Sequence, residues 1–201
     1  MKSRLASILC VLSLIATGVS FGGFRAAGNL RQDSGALPNP AAVVKPQVYL
    51  SLEPVAQGRE FRAAVVVEIA KGFHMNSHKP SEAYLIPTTL TPELPAGIQL
   101  LDTVYPAGQL EKFSFSPTKP LDVYTGKVTL LLKLAAAADA KPGVTTIPVT
   151  LRYQACNDTT CLAPVKVLVE VKFEVALKGT KTRVMHPEIF SAVNSPANSS
   201  H

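Results

Sequence analysis

Residues 165–175 read VKVLVEVKFEV, and this stretch decides the fold. Over its whole length, apolar side chains alternate with side chains that are charged in every case but one. A period of two places the valines and Phe173 on one side of an extended chain, and the Lys and Glu residues with Leu168 on the other. The pattern predicts a long β-strand with one buried face and one solvated face.

Six further segments upstream also resemble strands, and turn residues such as Lys71-Gly72 and Pro142-Gly143 separate them. These segments are residues 48–52, 61–69, 85–90, 98–104, 128–134 and 146–153. We therefore predict an all-β protein, an immunoglobulin-like antiparallel β-sandwich with a cysteine turn between two strands. The chain has no Trp, so the antibody-type core pattern is absent. Helix propensity is concentrated in residues 132–140, where we expect one short helix that ends before Pro142.

The ends of the chain predict a targeting segment and two unstructured regions. Lys2 and Arg4 precede an apolar run that is too short to span a bilayer, which is typical of a secretory signal. We expect the signal at residues 1–22, a linker at 23–45, the folded domain at 46–177 and an unstructured tail at 178–201. Within this tail, residues 185–193 are a candidate for a short docked turn.

Composition and motifs exclude several classes of function. Loss of Lys2 and Arg4 with the signal lowers the formal net charge from +6 to +4, and the basic residues are scattered, so no nucleic-acid partner is predicted. Motifs for hydrolysis or phosphoryl transfer do not occur. Because Cys10 lies in the signal, an exported chain retains Cys156 and Cys161 in a compartment where disulfides persist.

Cys156 and Cys161 lie between two predicted strands, at residues 146–153 and 165–175. A fully extended chain would separate their Cα atoms by roughly 16 Å, whereas a disulfide needs about 7 Å or less. Asn157 and Asp158 favour the necessary turn. Closing so small a loop contributes only about 2 kcal/mol, against about 4.7 kcal/mol for a loop of 100 residues. Spacing alone favours a structural disulfide over thiol exchange, and thiol exchange over metal binding.

Longer motifs carry a resemblance to a known family. Residues 153–164, YQACNDTTCLAP, resemble the active-site turn of the N-terminal periplasmic domain of the thiol:disulfide interchange protein DsbD. Residues 72–80, GFHMNSHKP, followed by YLIPTTL at 84–90, resemble a hairpin of the same family. The similarity extends over about residues 48–175.

The resemblance implies a periplasmic redox function without a cofactor. Domains of this family receive electrons from a thioredoxin-like domain and pass them to partners such as disulfide isomerases and cytochrome c maturation thioredoxins. By resemblance, Cys161 forms the mixed disulfide with a partner and Cys156 resolves it. Residues 1–201 contain no membrane domain or thioredoxin domain, so we expect a separately encoded membrane electron transporter as a further partner.

The family also has a cap loop with acidic and aromatic residues that shields the cysteines. The resemblance assigns this loop to residues 102–105, where Asp102 would raise the thiol pKa. Val104 stands where an aromatic residue is expected, and Tyr105 follows it. Tyr153 and Gln154 are candidates for the rim of the active site, although a strand aromatic packed in the core is the simpler interpretation of Tyr153.

His74 and His78 are the remaining candidate ligands. On a helix their spacing suits a metal ion, and together with the two cysteines they would supply nitrogen and sulfur ligands. Gly72 and Pro80 favour a loop instead, where this spacing has no special geometry, and no metal site is predicted. Two alternatives stay open: a secreted binding domain with a purely structural disulfide, and a periplasmic metal-handling protein.

Overall fold

The computed structural model describes residues 37–192. The predicted signal at residues 1–22 and residues 23–36 of the predicted linker lie outside this range. Within it, the chain is built mainly of β-strands, preceded by one turn of 3₁₀ helix at Pro40–Ala42. The strands are β1 Val44–Leu50, β2 Leu52–Glu53, β3 Val55–Ala56, β4 Glu60–Ile69, β5 His74–Asn76, β6 Thr89–Pro92, β7 Ile98–Val104, β8 Gln109–Phe113, β9 Ser116–Tyr124, β10 Lys127–Ala136, β11 Gly143–Tyr153, β12 Ala155–Cys156, β13 Val165–Ala176 and β14 Arg183–Val184, and helix α1 is Pro187–Ala192.

Strand β13 contains the stretch that the sequence marked most clearly. Its valines and Phe173 face inward, and its charged side chains and Leu168 are exposed, so the predicted alternation is confirmed. It pairs antiparallel with β11 along the full length of that strand, from Gly143 opposite Val175 to Tyr153 opposite Val165. The two strands form the centre of one sheet, in the order β3-β13-β11-β6.

A second sheet, in the order β1-β4-β10-β7, supplies the other half of the core. Every pairing in it is antiparallel. The predicted antiparallel β-sandwich is confirmed, with the short β3 added in parallel to β13. One buried cluster joins inward side chains of both sheets, among them Val65, Leu130, Leu132, Leu151 and Phe173.

Two predictions of local structure are wrong. Residues 132–136 continue strand β10 and are not helical, because they pair with β4 on one side and β7 on the other. Apolar side chains point to both faces there, which hides the alternation that identifies a strand. Of the predicted strand at 85–90, the structure places only its last two residues in β6.

The C-terminal residues 178–192 contain a short strand, which the expected tail did not include, and a short helix where a docked turn was considered at 185–193. Residues 193–201 of the predicted tail lie outside the described range. Strand β14 pairs with β2, and helix α1 places Phe190 against Ala64, Val66 and Leu131. These three residues lie on the outer face of the second sheet, so α1 covers apolar surface that would otherwise face water. At the other end, β1 begins at Val44, two residues before the predicted domain boundary.

A third sheet, in the order β12-β5-β9-β8, stands at one end of the sandwich and positions the cysteine turn. Strands β8 and β9 form a hairpin that the sequence analysis did not predict. Its apolar residues make a small cluster of their own, consisting of Leu85, Phe113, Leu121 and Val123. Within residues 37–192, no helix is long and apolar enough to cross a lipid bilayer.

Candidate functional site

Cys156 and Cys161 are joined by a disulfide bond in the turn between β11 and β13. Their Cα atoms are 3.9 Å apart, so the chain folds back on itself as the disulfide requires. The amide of Leu162 donates to the carbonyl of Ala155 at 2.8 Å and closes the base of the turn. The sequence prediction of a local turn around the pair is confirmed.

Asn157 holds the tip of this turn together. Its side-chain oxygen accepts hydrogen bonds from the amides of Thr159 and Thr160, at 3.0 and 2.9 Å. Its own amide donates to the Thr160 carbonyl at 2.9 Å. These are the side-chain-to-backbone bonds that make Asn a turn residue, so the loop is fixed by its own sequence.

The two cysteines differ in their access to solvent. Cys156 is 1% exposed because it belongs to the short strand β12, which pairs with β5. Cys161 is partly exposed. Cys161 is therefore the more accessible residue of the pair.

Gln154 connects the turn to the neighbouring strand. Its side-chain nitrogen donates to the carbonyl of Leu162, the residue after Cys161, at 3.2 Å. Its side-chain oxygen accepts from the Asn76 side chain on β5, at 3.3 Å. The predicted rim residue thus supports the backbone that carries Cys161.

Tyr153, which the sequence also made a candidate for the rim of the active site, lies in the core of the sandwich. It is fully buried, and its hydroxyl donates to the carbonyl of Pro40 at 3.1 Å. Burial raises the pKa of Tyr153 to about 12, so the phenol stays protonated. The simpler interpretation, a strand aromatic packed in the core, describes its environment.

His74 lies directly opposite Cys156 in the pairing of β5 with β12. Its ring stacks on Phe113 with a centroid distance of 4.0 Å and an interplanar angle of 20°. Phe115 stacks farther out, at 6.5 Å. Burial lowers the pKa of His74 to about 4, with the Asp158 carboxylate acting weakly in the other direction, so the imidazole is neutral at neutral pH.

The tip of the β8–β9 hairpin, residues 113–115, contacts the cysteine turn directly. The Ser114 hydroxyl donates to the backbone carbonyl of Asp158, while Phe113 packs on His74. Sequence reasoning missed this contact because Pro117 and Pro120 in β9 weaken the strand pattern. The pair of aromatic residues at 113 and 115 was the available signal for it.

Residues 102–105, which the resemblance predicts as a cap, contact strand β10, the cluster under α1 and residues 78–90. Asp102 pairs with Lys133 at 3.0 Å across β7 and β10, with both side chains about half exposed. Val104 packs on the cluster that α1 covers. The Tyr105 ring stacks on His78 at 3.7 Å, and its hydroxyl accepts from the Leu90 amide. Phe113 and Phe115 are the aromatic residues of the hairpin tip, whose Ser114 bonds to the cysteine turn.

His74 and His78 occupy different environments. His78 stacks on Tyr105, and its Nδ1 lies 3.0 Å from the Thr88 carbonyl. His74 stacks on Phe113 beside the disulfide. In the part of the chain that the structure describes, no three His, Cys, Asp or Glu side chains are grouped to hold a metal ion.

Comparison with known proteins identifies one family. The family model described as the N-terminal domain of thiol:disulfide interchange protein DsbD matches residues 41–172. This range includes the cysteine turn, strand β5 and the β8–β9 hairpin. No curated protein matches the sequence.

The solved structures that the comparison matches include two from Neisseria meningitidis. The reduced DsbD N-terminal domain has 17% identity and a TM-score of 0.43, and the match covers 75% of this chain and 96% of that chain. The DsbD N-terminal domain in complex with the PilB N-terminal domain has 18% identity and a TM-score of 0.38, with 69% and 86% covered. The N-terminal periplasmic domain of ScsB from Proteus mirabilis has 13% identity and a TM-score of 0.41, with 69% and 48% covered.

Proposed function

This chain belongs to the family of N-terminal domains of the thiol:disulfide interchange protein DsbD, and from that membership we propose that it exchanges disulfides with thioredoxin-like partners in the periplasm. Reducing equivalents pass to or from these partners through Cys156 and Cys161. A membrane electron transporter is a further candidate partner. The chain acts as a protein-disulfide reductase component, without a cofactor.

The observation that carries this proposal is the unequal exposure of the two bonded cysteines in one short turn. Cys161 is partly exposed, whereas Cys156 is buried against β5. In the reducing direction, a thiolate of the partner attacks the sulfur of Cys161. The Cys156–Cys161 bond then breaks, a mixed disulfide forms with Cys161, and the electron pair leaves on the sulfur of Cys156. When the reaction runs in reverse, Cys156 attacks the mixed disulfide and releases the partner.

The hairpin tip at residues 113–115 supports the same proposal. It touches both the strand and the turn that hold the cysteines, through Phe113 on His74 and Ser114 on Asp158. A partner that docks on the cysteine turn therefore also meets the hairpin tip. Such a cover protects the pair from unspecific thiols and leaves the specific partner to open it.

The reduction potential of the pair tests the exchange function. Disulfides that serve only as structural links in secreted proteins have potentials below about −300 mV. We expect a higher value, measured by equilibration of the purified protein with dithiothreitol of known redox ratio. A value below about −300 mV would make the disulfide structural and contradict the proposal.

Trapping of partners tests the role of each cysteine. In a Cys156→Ala variant the resolving thiol is missing, so Cys161 should accumulate as a mixed disulfide with thioredoxin-like proteins. The matched control is Cys161→Ala, which leaves only the buried thiol and should trap far less. Equal adducts from both variants, seen on non-reducing gels and identified by mass spectrometry, would refute the assignment of roles.

A further inference from the structure

One buried nitrogen beside the disulfide is not used by the exchange mechanism described above. His74 is 3% exposed, and its Nε2 has no hydrogen-bond partner among residues 37–192. Buried polar atoms in folded proteins nearly always have a partner, and an unpaired one costs about 1–3 kcal/mol. An exception at this position therefore requires an explanation.

The geometry places this histidine next to the buried sulfur. His74 and Cys156 are direct partners in the antiparallel pairing of β5 with β12. Side chains of directly opposed residues point to the same face of a sheet, with their Cβ atoms about 4.5–5.5 Å apart. The stack on Phe113 fixes the plane of the imidazole ring. The imidazole of His74 and the side chain of Cys156 thus lie next to each other on one face of the sheet, and both are buried.

The oxidised and reduced states differ in whether Cys156 can donate a hydrogen bond. A disulfide sulfur has no proton to donate, so the oxidised protein offers Nε2 nothing from Cys156. A reduced Cys156 carries an S–H group, which is a donor. Burial in apolar surroundings keeps such a thiol protonated, and the same burial keeps the imidazole neutral. When the ring proton is on Nδ1, the lone pair on Nε2 is available as the acceptor.

We propose that His74 is a positioning residue for disulfide exchange, and that its Nε2 accepts a hydrogen bond from the Cys156 thiol in the reduced state. This inference rests on the proposed function. Reduction then gives a partner to a nitrogen that lacks one in the oxidised state, which favours the dithiol. Reduction by a dithiol partner transfers two electrons and two protons, and the partner becomes a disulfide. One of the two protons ends on the sulfur of Cys156.

The redox equilibrium with dithiothreitol tests the proposal in four proteins. His74→Phe keeps the stack on Phe113 and removes the acceptor. We expect its equilibrium constant for reduction to fall about tenfold, which corresponds to a potential about 30 mV more negative. His74→Gln retains an acceptor, so its equilibrium constant for reduction should fall less than that of His74→Phe. The matched control is His78→Phe, which replaces a stacked histidine away from the cysteines and should leave the constant at its wild-type value.

An unchanged or increased constant in His74→Phe would overturn the inference. Nitrogen NMR of the wild-type protein gives an independent measurement, which does not depend on a variant that folds poorly. The resonance of the unprotonated Nε2 of His74 should shift upfield on reduction, as an acceptor does when it gains a donor, and no shift would also overturn the inference.

The two proposals fail in distinguishable ways. If the wild-type protein does not exchange with any thioredoxin-like protein, the proposed function is wrong, but the effect of His74 on the equilibrium with dithiothreitol remains measurable. If exchange occurs and His74→Phe has the wild-type constant, only the role of His74 is wrong. Thermal unfolding of the oxidised variants shows whether each one is folded before its constant is interpreted.

Discussion

Replacement of Phe113 by Leu should make the disulfide easier to reduce by small thiols. Phe113 stands at the end of β8 and is 7% exposed, with its ring stacked on His74 at 4.0 Å. Leu keeps the apolar contact with Leu121 and Val123 but loses the stack. The variant therefore weakens the attachment of the hairpin tip to the cysteine site and leaves the sandwich core unchanged.

The size of the effect follows from the interaction that is lost. A stacked aromatic pair contributes about 0.5–1.5 kcal/mol beyond the burial of its area. If reduction of the disulfide requires the hairpin tip to open, the open population rises by the corresponding factor, about 2- to 13-fold. The bond from Ser114 to Asp158 is still present in the variant, so the tip should remain closed most of the time.

The assay is the rate at which dithiothreitol reduces the oxidised protein, followed by gel shift after alkylation of the free thiols. We expect a rate about 2- to 13-fold faster for Phe113→Leu, the factor derived above. The control is Phe190→Leu, at another buried aromatic residue, on α1, which should destabilise the fold without changing this rate. A wild-type rate in a folded Phe113→Leu protein would show that the hairpin does not limit access to Cys161.

Three further outcomes are expected. Tyr153→Phe removes the hydroxyl that donates to Pro40 and should lower the free energy of unfolding in urea by about 1 kcal/mol; a change near zero would show that this bond does not matter. Phe190→Ala uncovers Leu131 and its neighbours and should cost about 3 kcal/mol in the same assay, the lower end for buried Phe because a short helix can readjust; a loss under about 1 kcal/mol would mean that α1 is not held by this contact. Acid should destabilise the protein, because the pKa of His74 is about 4 in the folded protein and returns to its ordinary value of 6.5 on unfolding, so the free energy of unfolding falls as pH drops from about 6.5 to about 4. If the free energy of unfolding of His74→Phe depends on pH in the same way, His74 is not the source of this dependence.

The sequence predicted the sandwich because its strands have one buried face. The alternation in β13 is a local property, since side chains two residues apart point the same way in any extended chain. The cysteine turn is also local, because Asn157 closes it with bonds to residues two and three positions away. Such features follow from neighbouring residues and need no knowledge of the rest of the fold.

The prediction of a helix at residues 132–140 is wrong because contacts with segments distant in sequence decide the structure there. Leu131 and Leu132 point to opposite faces of β10, and both are buried, one beneath α1 and the other in the main core. A strand that is buried on both faces has no alternation, and its leucines then favour a helix by propensity alone. Pairing with β4 and β7, which are distant in sequence, overrides that preference.

The surroundings of the cysteines were decided only by tertiary structure. The sequence by itself determined that Cys156 and Cys161 lie together on a turn between two strands. It did not determine that His74 would face Cys156, nor that Phe113 and Ser114 would close over the turn while Asp102 paired with Lys133 elsewhere. These contacts join segments about 30 to 80 residues apart, and their partners are set by strand order and register, which no local pattern in a single sequence encodes.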